Sequence, residues 1–122
     1  MDLRSSSLGL AVGLFMISAV GGCAPTDPAS QYQKDPEALR RGESVFAGTC
    51  SGYCHGMNIV VGDVPNLFDC SWIHGGSNQE IFATIANGVA GSRMVAFGGR
   101  LPEGDDDIWK IIAFLKNEAS GC

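Results

Sequence analysis

The chain has 122 residues, 45% of them hydrophobic and 17% charged, with a net charge of −5. That composition is globular rather than disordered, leaves room for one domain, and argues against a nucleic-acid partner, which would require the opposite charge. Seventeen glycines and few aromatic side chains limit the core, and a domain this small generally needs a disulfide, metal or cofactor as a staple.

The N-terminus reads as an export signal. After Arg4 comes the nearly continuous apolar run Leu8–Val20. It falls short of the roughly 20 residues a membrane-spanning helix needs, and fits a signal-peptide core. The run ends in Val20-Gly21-Gly22-Cys23, which resembles a lipobox, so that residues 1–22 would be removed and Cys23 would carry lipid. The alternative is ordinary cleavage near Ala24. Either way the protein is expected to leave the cytoplasm for the periplasm, meeting the membrane only through that anchor. Loss of residues 1–22 removes Asp2 and Arg4 together and leaves the charge balance unchanged. Residues 23–35, with "APTDPASQYQKD" at 24–35, read as a linker whose twelve-residue stretch reaches ~40 Å when extended.

The domain proper is expected over residues 36–122. Pro36 suits the first position of a helix, and "PEALRRGESVFAGTC" places Leu39, Gly42, Val45 and Phe46 on one stripe. A glycine in mid-helix costs ~1 kcal/mol against alanine, so Gly42 signals a close backbone approach. Residues 56–76 are irregular and rich in glycine. Ser77 to Glu80 reads as a capping box opening a second helix that Gly88 stops. Asp105–Asp107 then place negative charge at the start of a third helix, with Ile108, Ile111, Ile112 and Leu115 as its apolar stripe. No strand pattern emerges. The expected class is all-α: three main helices and long loops.

The chemistry concentrates in "TCSGYCHG" at residues 49–56. The haem-attachment pattern is Cys-x-x-Cys-His, whereas here Ser51, Gly52 and Tyr53 separate Cys50 from Cys54. Three readings compete. A zinc site is disfavoured because His55 directly follows Cys54 and no second paired half-site exists. A redox dithiol is disfavoured because no strand precedes the pair. Covalent haem fits best: two sulfurs for the vinyl groups and the adjacent imidazole of His55 for the iron. Residues three and four apart on a helix both face one side, so a three-residue loop with Gly52 in it is expected to present both sulfurs. The sixth ligand is expected to be Met94, in the glycine-rich "AGSRMVAFGG"; His74 is the runner-up, and Met57 is too close to His55 to reach the other haem face. Of the five cysteines, Cys70 and Cys122 are left over. In an exported protein they suggest a disulfide closing a loop of about fifty residues, worth roughly 3–5 kcal/mol, unless Cys122 is free at the chain end.

Taken together, "GESVFAGTCSGYCHG", "VPNL", "GGSNQEIFATIANG" and "RMVAFGGRLPEGDDDIWKIIAFLKN" make residues 36–117 resemble a class I c-type cytochrome. The resemblance implies the cytochrome c fold around one covalently bound haem c. It also implies that the first and last helices cross through Gly42 and Phe46 against Ile111 and Phe114. Pro65 would orient the ring of the axial ligand His55 through its carbonyl. Two departures stand out: the extra spacer residue, and Val95 where many relatives carry proline. The second-helix stretch and the "RMVAFGGRLP" loop resemble cytochromes serving quinoprotein alcohol dehydrogenases. The function implied is that of an electron carrier, not an enzyme, with a dehydrogenase as donor and an oxidase or cytochrome as acceptor. Partners would dock at a haem edge rimmed by Ile59, Val60 and Val61 and by Val95, Ala96 and Phe97. The alternatives are a peroxidase or gas-binding haem protein with a labile sixth ligand, and a haem-free zinc or thiol module.

Overall fold

An Asp-Pro pair opens each of the first two helices. Aspartate in an extended conformation accepts from the exposed N–H groups of the first turn, while proline at the first position has no N–H to lose. The computed structural model describes residues 26–57 and 62–119. In it, Asp27 caps α1 (Pro28–Tyr32) and accepts from the Ser30 N–H; Asp35 caps α2 (Pro36–Phe46) and accepts from the Glu37 N–H. α3 is Asn78–Asn87 and α4 is Asp105–Glu118. No β-strand occurs among the described residues. The signal run, Cys23, the rim residues Ile59, Val60 and Val61, and Cys122 lie outside them.

α1 corrects the linker expectation. Residues 26–35 belong to the folded domain: Ala29 is fully buried, Asp27 and Ser30 accept from the Asn78 side chain at the start of α3, and the Tyr32 hydroxyl donates to Asp106. Composition pointed to a tether because the segment is polar and proline-bearing. A five-residue helix needs only one small apolar residue to dock.

The three longer helices form as expected. α3 carries the full capping box, with Ser77 Oγ accepting from the Glu80 N–H and the Glu80 carboxylate accepting from the Ser77 N–H. α4 has three aspartates in its first turn and Lys116 in its last, each matching the helix dipole. Its stripe is the centre of the core: Ile108, Ile111, Ile112 and Leu115 are almost inaccessible, as is Phe46 of α2. Each such side chain is worth roughly 1.5–3 kcal/mol of burial.

Gly42 explains how α2 and α4 come so close. A Cβ at that position would lie 2.1 Å from the Lys110 carbonyl oxygen and 3.1 Å from the Ile111 nitrogen. Beside this crossing, Phe46 sits 5.8 Å from Phe114 and 5.7 Å edge-on from Phe68, centroid to centroid, tying the loop that carries Phe68 to the helix pair. Charge seals the other side. Asp107, wholly buried, accepts from Arg41 Nε at 2.8 Å and Nη2 at 2.9 Å, and from the Glu103 N–H at 2.9 Å. The Arg41 guanidinium holds the Asp107 carboxyl below its usual range, and Lys110 does the same for Asp106. Asp105 accepts from the Gly99 N–H. The acidic run is thus spent largely inside the fold.

Candidate haem site

Between α2 and the loop that follows, residues Ala47–His55 wind as a π-helix, with hydrogen bonds closing over five residues rather than four. The Gly56 N–H donating to the Ser51 carbonyl at 3.1 Å marks its end. This corrects the expectation that Ser51, Gly52 and Tyr53 form a loop: the spacer is helical, in a wider register. The turn delivers Cys50, Cys54 and His55 to one cleft of about 610 Å³, which Pro65, Met94 and Phe97 also line. An adjoining chamber of about 180 Å³ shares His55, Pro65 and Met94 and is backed by apolar side chains including Leu67, Ile81, Ile85 and Leu115.

His55 is held in one orientation. Its Nδ1 lies 3.1 Å from the Pro65 carbonyl oxygen. A carbonyl only accepts, so this bond needs the proton on Nδ1 and leaves Nε2 as the nitrogen that could face a metal. Met94 is half-buried in the same cleft, whereas Met57 is exposed and lines a separate groove beside Leu39 and Phe68. His74 lines the second chamber but is itself exposed.

The loop carrying Met94 is built onto the end of α3. Phe97 and Gly98 donate to the Ile85 and Ala86 carbonyls, both at 3.0 Å, and the Val89 N–H donates to the Met94 carbonyl at 3.0 Å. Ser92 Oγ accepts from the Met94 N–H at 3.1 Å. Gly88, at φ 69°, has no room for a side chain: a Cβ would meet the Met94 oxygen at 2.6 Å and the Ala96 nitrogen at 2.8 Å. These bonds hold the loop in the place where Val95 stands instead of proline. Sequence reasoning read Gly88 only as a helix stop, and its second duty towards Met94 has no local signature.

Cys50 and Cys54 are both free thiols. Burial, with a smaller contribution from Cys54, pushes the Cys50 thiol up to about 11. A thiol–disulfide catalyst is favoured by the opposite shift. Among the described residues no group of three or more His, Cys, Asp or Glu side chains is placed to hold a metal ion. A planar, largely apolar group with polar acceptors fits better. The Trp72 indole N–H is buried without a protein partner, and Trp72 lines the second chamber. A buried donor of this kind costs free energy unless a ligand oxygen or a water meets it. Lys116 fixes the ring from the other side, 4.8 Å above it, while donating to the Gly76 carbonyl. Trp72 was missed at the sequence level, although a tryptophan beside two glycines was the available signal.

Cys70 is not a free thiol; its Sγ lies 3.8 Å from the Ala119 carbonyl oxygen, at the end of α4. At the cleft mouth Arg93 and Asp63 pair at 2.6 Å, both well exposed, an arrangement of little energetic weight. Val95 beside them is 57% exposed.

Known proteins point the same way. Residues 37–115 match the family described as cytochrome c oxidase, cbb3-type, subunit III. The chain is 40% identical over 68 residues to the cbb3-type cytochrome c oxidase subunit CcoP of Rubrivivax gelatinosus, covering 55% of this chain and 22% of that one. It is 42% identical over 73 residues to the subunit FixP of Sinorhizobium medicae (strain WSM419), covering 52% and 25%. To the cytochrome c-L of Methylorubrum extorquens it is 41% identical over 93 residues, covering 74% and 45%. The chain thus spans less than half the length of each of these relatives. No solved structure matches it. With an all-α fold, a matched family and a cleft that suits the group, haem c is the cofactor. The chain belongs to the cbb3-type cytochrome c oxidase subunit III family, as a class I c-type cytochrome domain.

Proposed function

We propose that this chain is a periplasmic single-electron carrier whose one haem c is bound covalently by Cys50 and Cys54 and ligated by His55 and Met94. The observation that carries this reading is the shared cleft: both thiols, an imidazole with Nε2 left free by the Pro65 hydrogen bond, and one methionine line it together. When bound, the haem supplies an iron that cycles between two oxidation states. Cys50, Cys54, His55 and Met94 would hold it, and the chain would set its potential through burial and hydrogen bonding. Filling both axial positions favours electron transfer over ligand activation, since no site is left for a substrate.

Donor and acceptor follow the same reading: a dehydrogenase, of the quinoprotein alcohol kind, on one side and an oxidase or second cytochrome on the other. Similarity both to oxidase subunits and to a cytochrome c-L supports that pairing. Cys23 would carry lipid and anchor the domain. Cys70, its sulfur at the last turn of α4, would pair with Cys122.

Met94→Ala is the direct test. Exported with a cytochrome c maturation system, the variant should keep its covalent haem, lose the methionine-to-iron absorption of the oxidised state, bind carbon monoxide when reduced, and show a lower potential. An unchanged spectrum and potential would remove Met94 from the iron. Intact mass of the exported wild type reads haem, lipid and disulfide in one measurement.

A further inference from the structure

The haem reading leaves a stereochemical problem that the structure answers. On an α-helix each residue advances roughly 100°, so a two-residue spacer puts the second cysteine about 60° to one side of the first and the histidine about 40° to the other. All three then face one ring. With a three-residue spacer on the same helix, Cys54 would lie about 40° from Cys50 and His55 about 140° away, turned out of the cleft. A helix closed over five residues advances only roughly 82° per residue. At that pitch Cys54 falls about 33° to one side of Cys50 and His55 about 49° to the other, close to the arrangement the shorter spacer gives.

We propose that the π-helical winding of Ala47–His55 is the device that makes a three-residue spacer competent for covalent haem attachment, by returning Cys50, Cys54 and His55 to one face of the chain. The proposal rests on the haem reading given above. Both ends of the segment are fixed by other parts of the fold: the Ala47 N–H reaches back to the Glu43 and Ser44 carbonyls of α2, and His55 is held by Pro65. Between them the extra residue is taken up outward. Tyr53 is 97% exposed, and a Cβ on Gly52 would meet nothing within 4 Å. Ser51 Oγ donates to the Ala47 carbonyl at 2.9 Å, bracing the widened turn from its own side chain.

The attachment chemistry balances within this arrangement. Each thiol adds across one vinyl group, its sulfur bonding to the carbon next to the ring and its hydrogen going to the terminal carbon. No net electrons are transferred, and both cysteines stand as the free thiols the addition requires.

The test uses the full chain, exported with a cytochrome c maturation system. The wild type should carry two thioethers, read by intact mass and by the pyridine haemochrome band, which shifts with each unreacted vinyl. Deletion of Gly52 restores a two-residue spacer and should keep both thioethers and the axial spectrum. Insertion of one glycine after Gly52 takes His55 beyond the reach of either winding and should lose a thioether or the imidazole. Amide-to-carbonyl couplings in the haem-loaded wild type should run over five residues between Ala47 and Gly56. Four-residue couplings with both thioethers present, or full attachment in the insertion variant, would overturn the proposal while leaving the haem reading intact. Absence of covalent haem from the matured wild type would instead sink the haem reading itself.

Discussion

The helix scaffold and the cleft wall satisfy their polar groups by different means. Where α1, α2 and α4 meet, the main charges close on one another: the Asp107 carboxylate takes three donors, and Lys110 reaches both Glu103 and Asp106. The cleft wall, by contrast, holds the His55 ring with only its Nδ1 bonded to Pro65, a thioether facing a cavity, and a buried indole N–H without a protein partner. The scaffold is finished by the polypeptide alone. The cleft wall is finished by what it binds, so changes on the two sides should damage different properties.

Gly42→Ala should do the greatest harm to stability. The obstructing atoms are backbone, so α2 and α4 must separate, at a cost of about 3 kcal/mol or more. Denaturant unfolding of the haem-loaded protein would show the loss, while the potential of the folded fraction should stay near the wild-type value. Gly88→Ala reverses that pattern. Its strain is on the order of 1–3 kcal/mol, but the Met94 peptide is pushed aside, so the methionine-to-iron absorption and the potential should both fall. A Gly88→Ala protein with wild-type potential would detach the glycine from the ligand's positioning.

Asp107→Asn should have the smallest effect, about 1–2 kcal/mol, because the replacement keeps its shape and some of its hydrogen bonds. Its signature lies in acid. The folded carboxyl titrates below the ordinary aspartate value of about 3.9, so its stabilisation is complete above that pH and is lost as pH falls through the lower, folded value. The asparagine variant should therefore unfold less steeply with acid than the wild type does. Equal acid profiles would mean that other carboxylates, such as Asp106, dominate.

Much of this was legible from residue order. Pro36, the Ser77–Glu80 box and the isoleucine stripe of α4 are local signals, and each element formed where its signal lay. Gly42 was legible because a mid-helix glycine is costly and calls for a packing reason. α1 carried the same Asp-Pro signal as α2 but no apolar stripe, so only tertiary packing of Ala29 reveals it. The π-helical winding was hidden for a different reason. Hydrophobic periodicity cannot distinguish four-residue from five-residue closure over nine residues, and one end of the segment is tied to Pro65, ten residues on from His55. The separate duties of Asp105, Asp106 and Asp107 were equally out of reach, because adjacent positions on a helix point in different directions.

The docking of α1 also sets how far the domain could stand from a surface. An extended segment over residues 24–35 would allow excursions of ~40 Å, but Asp27 is already bound to Ser30 and Asn78 at the body of the domain. With lipid on Cys23, four residue steps remain, at most about 14 Å of chain. On so short a leash the domain would explore a thin layer above the bilayer instead of a deep volume. It would meet partners by lateral diffusion, and exchange electrons with those whose redox centres lie at the same shallow height.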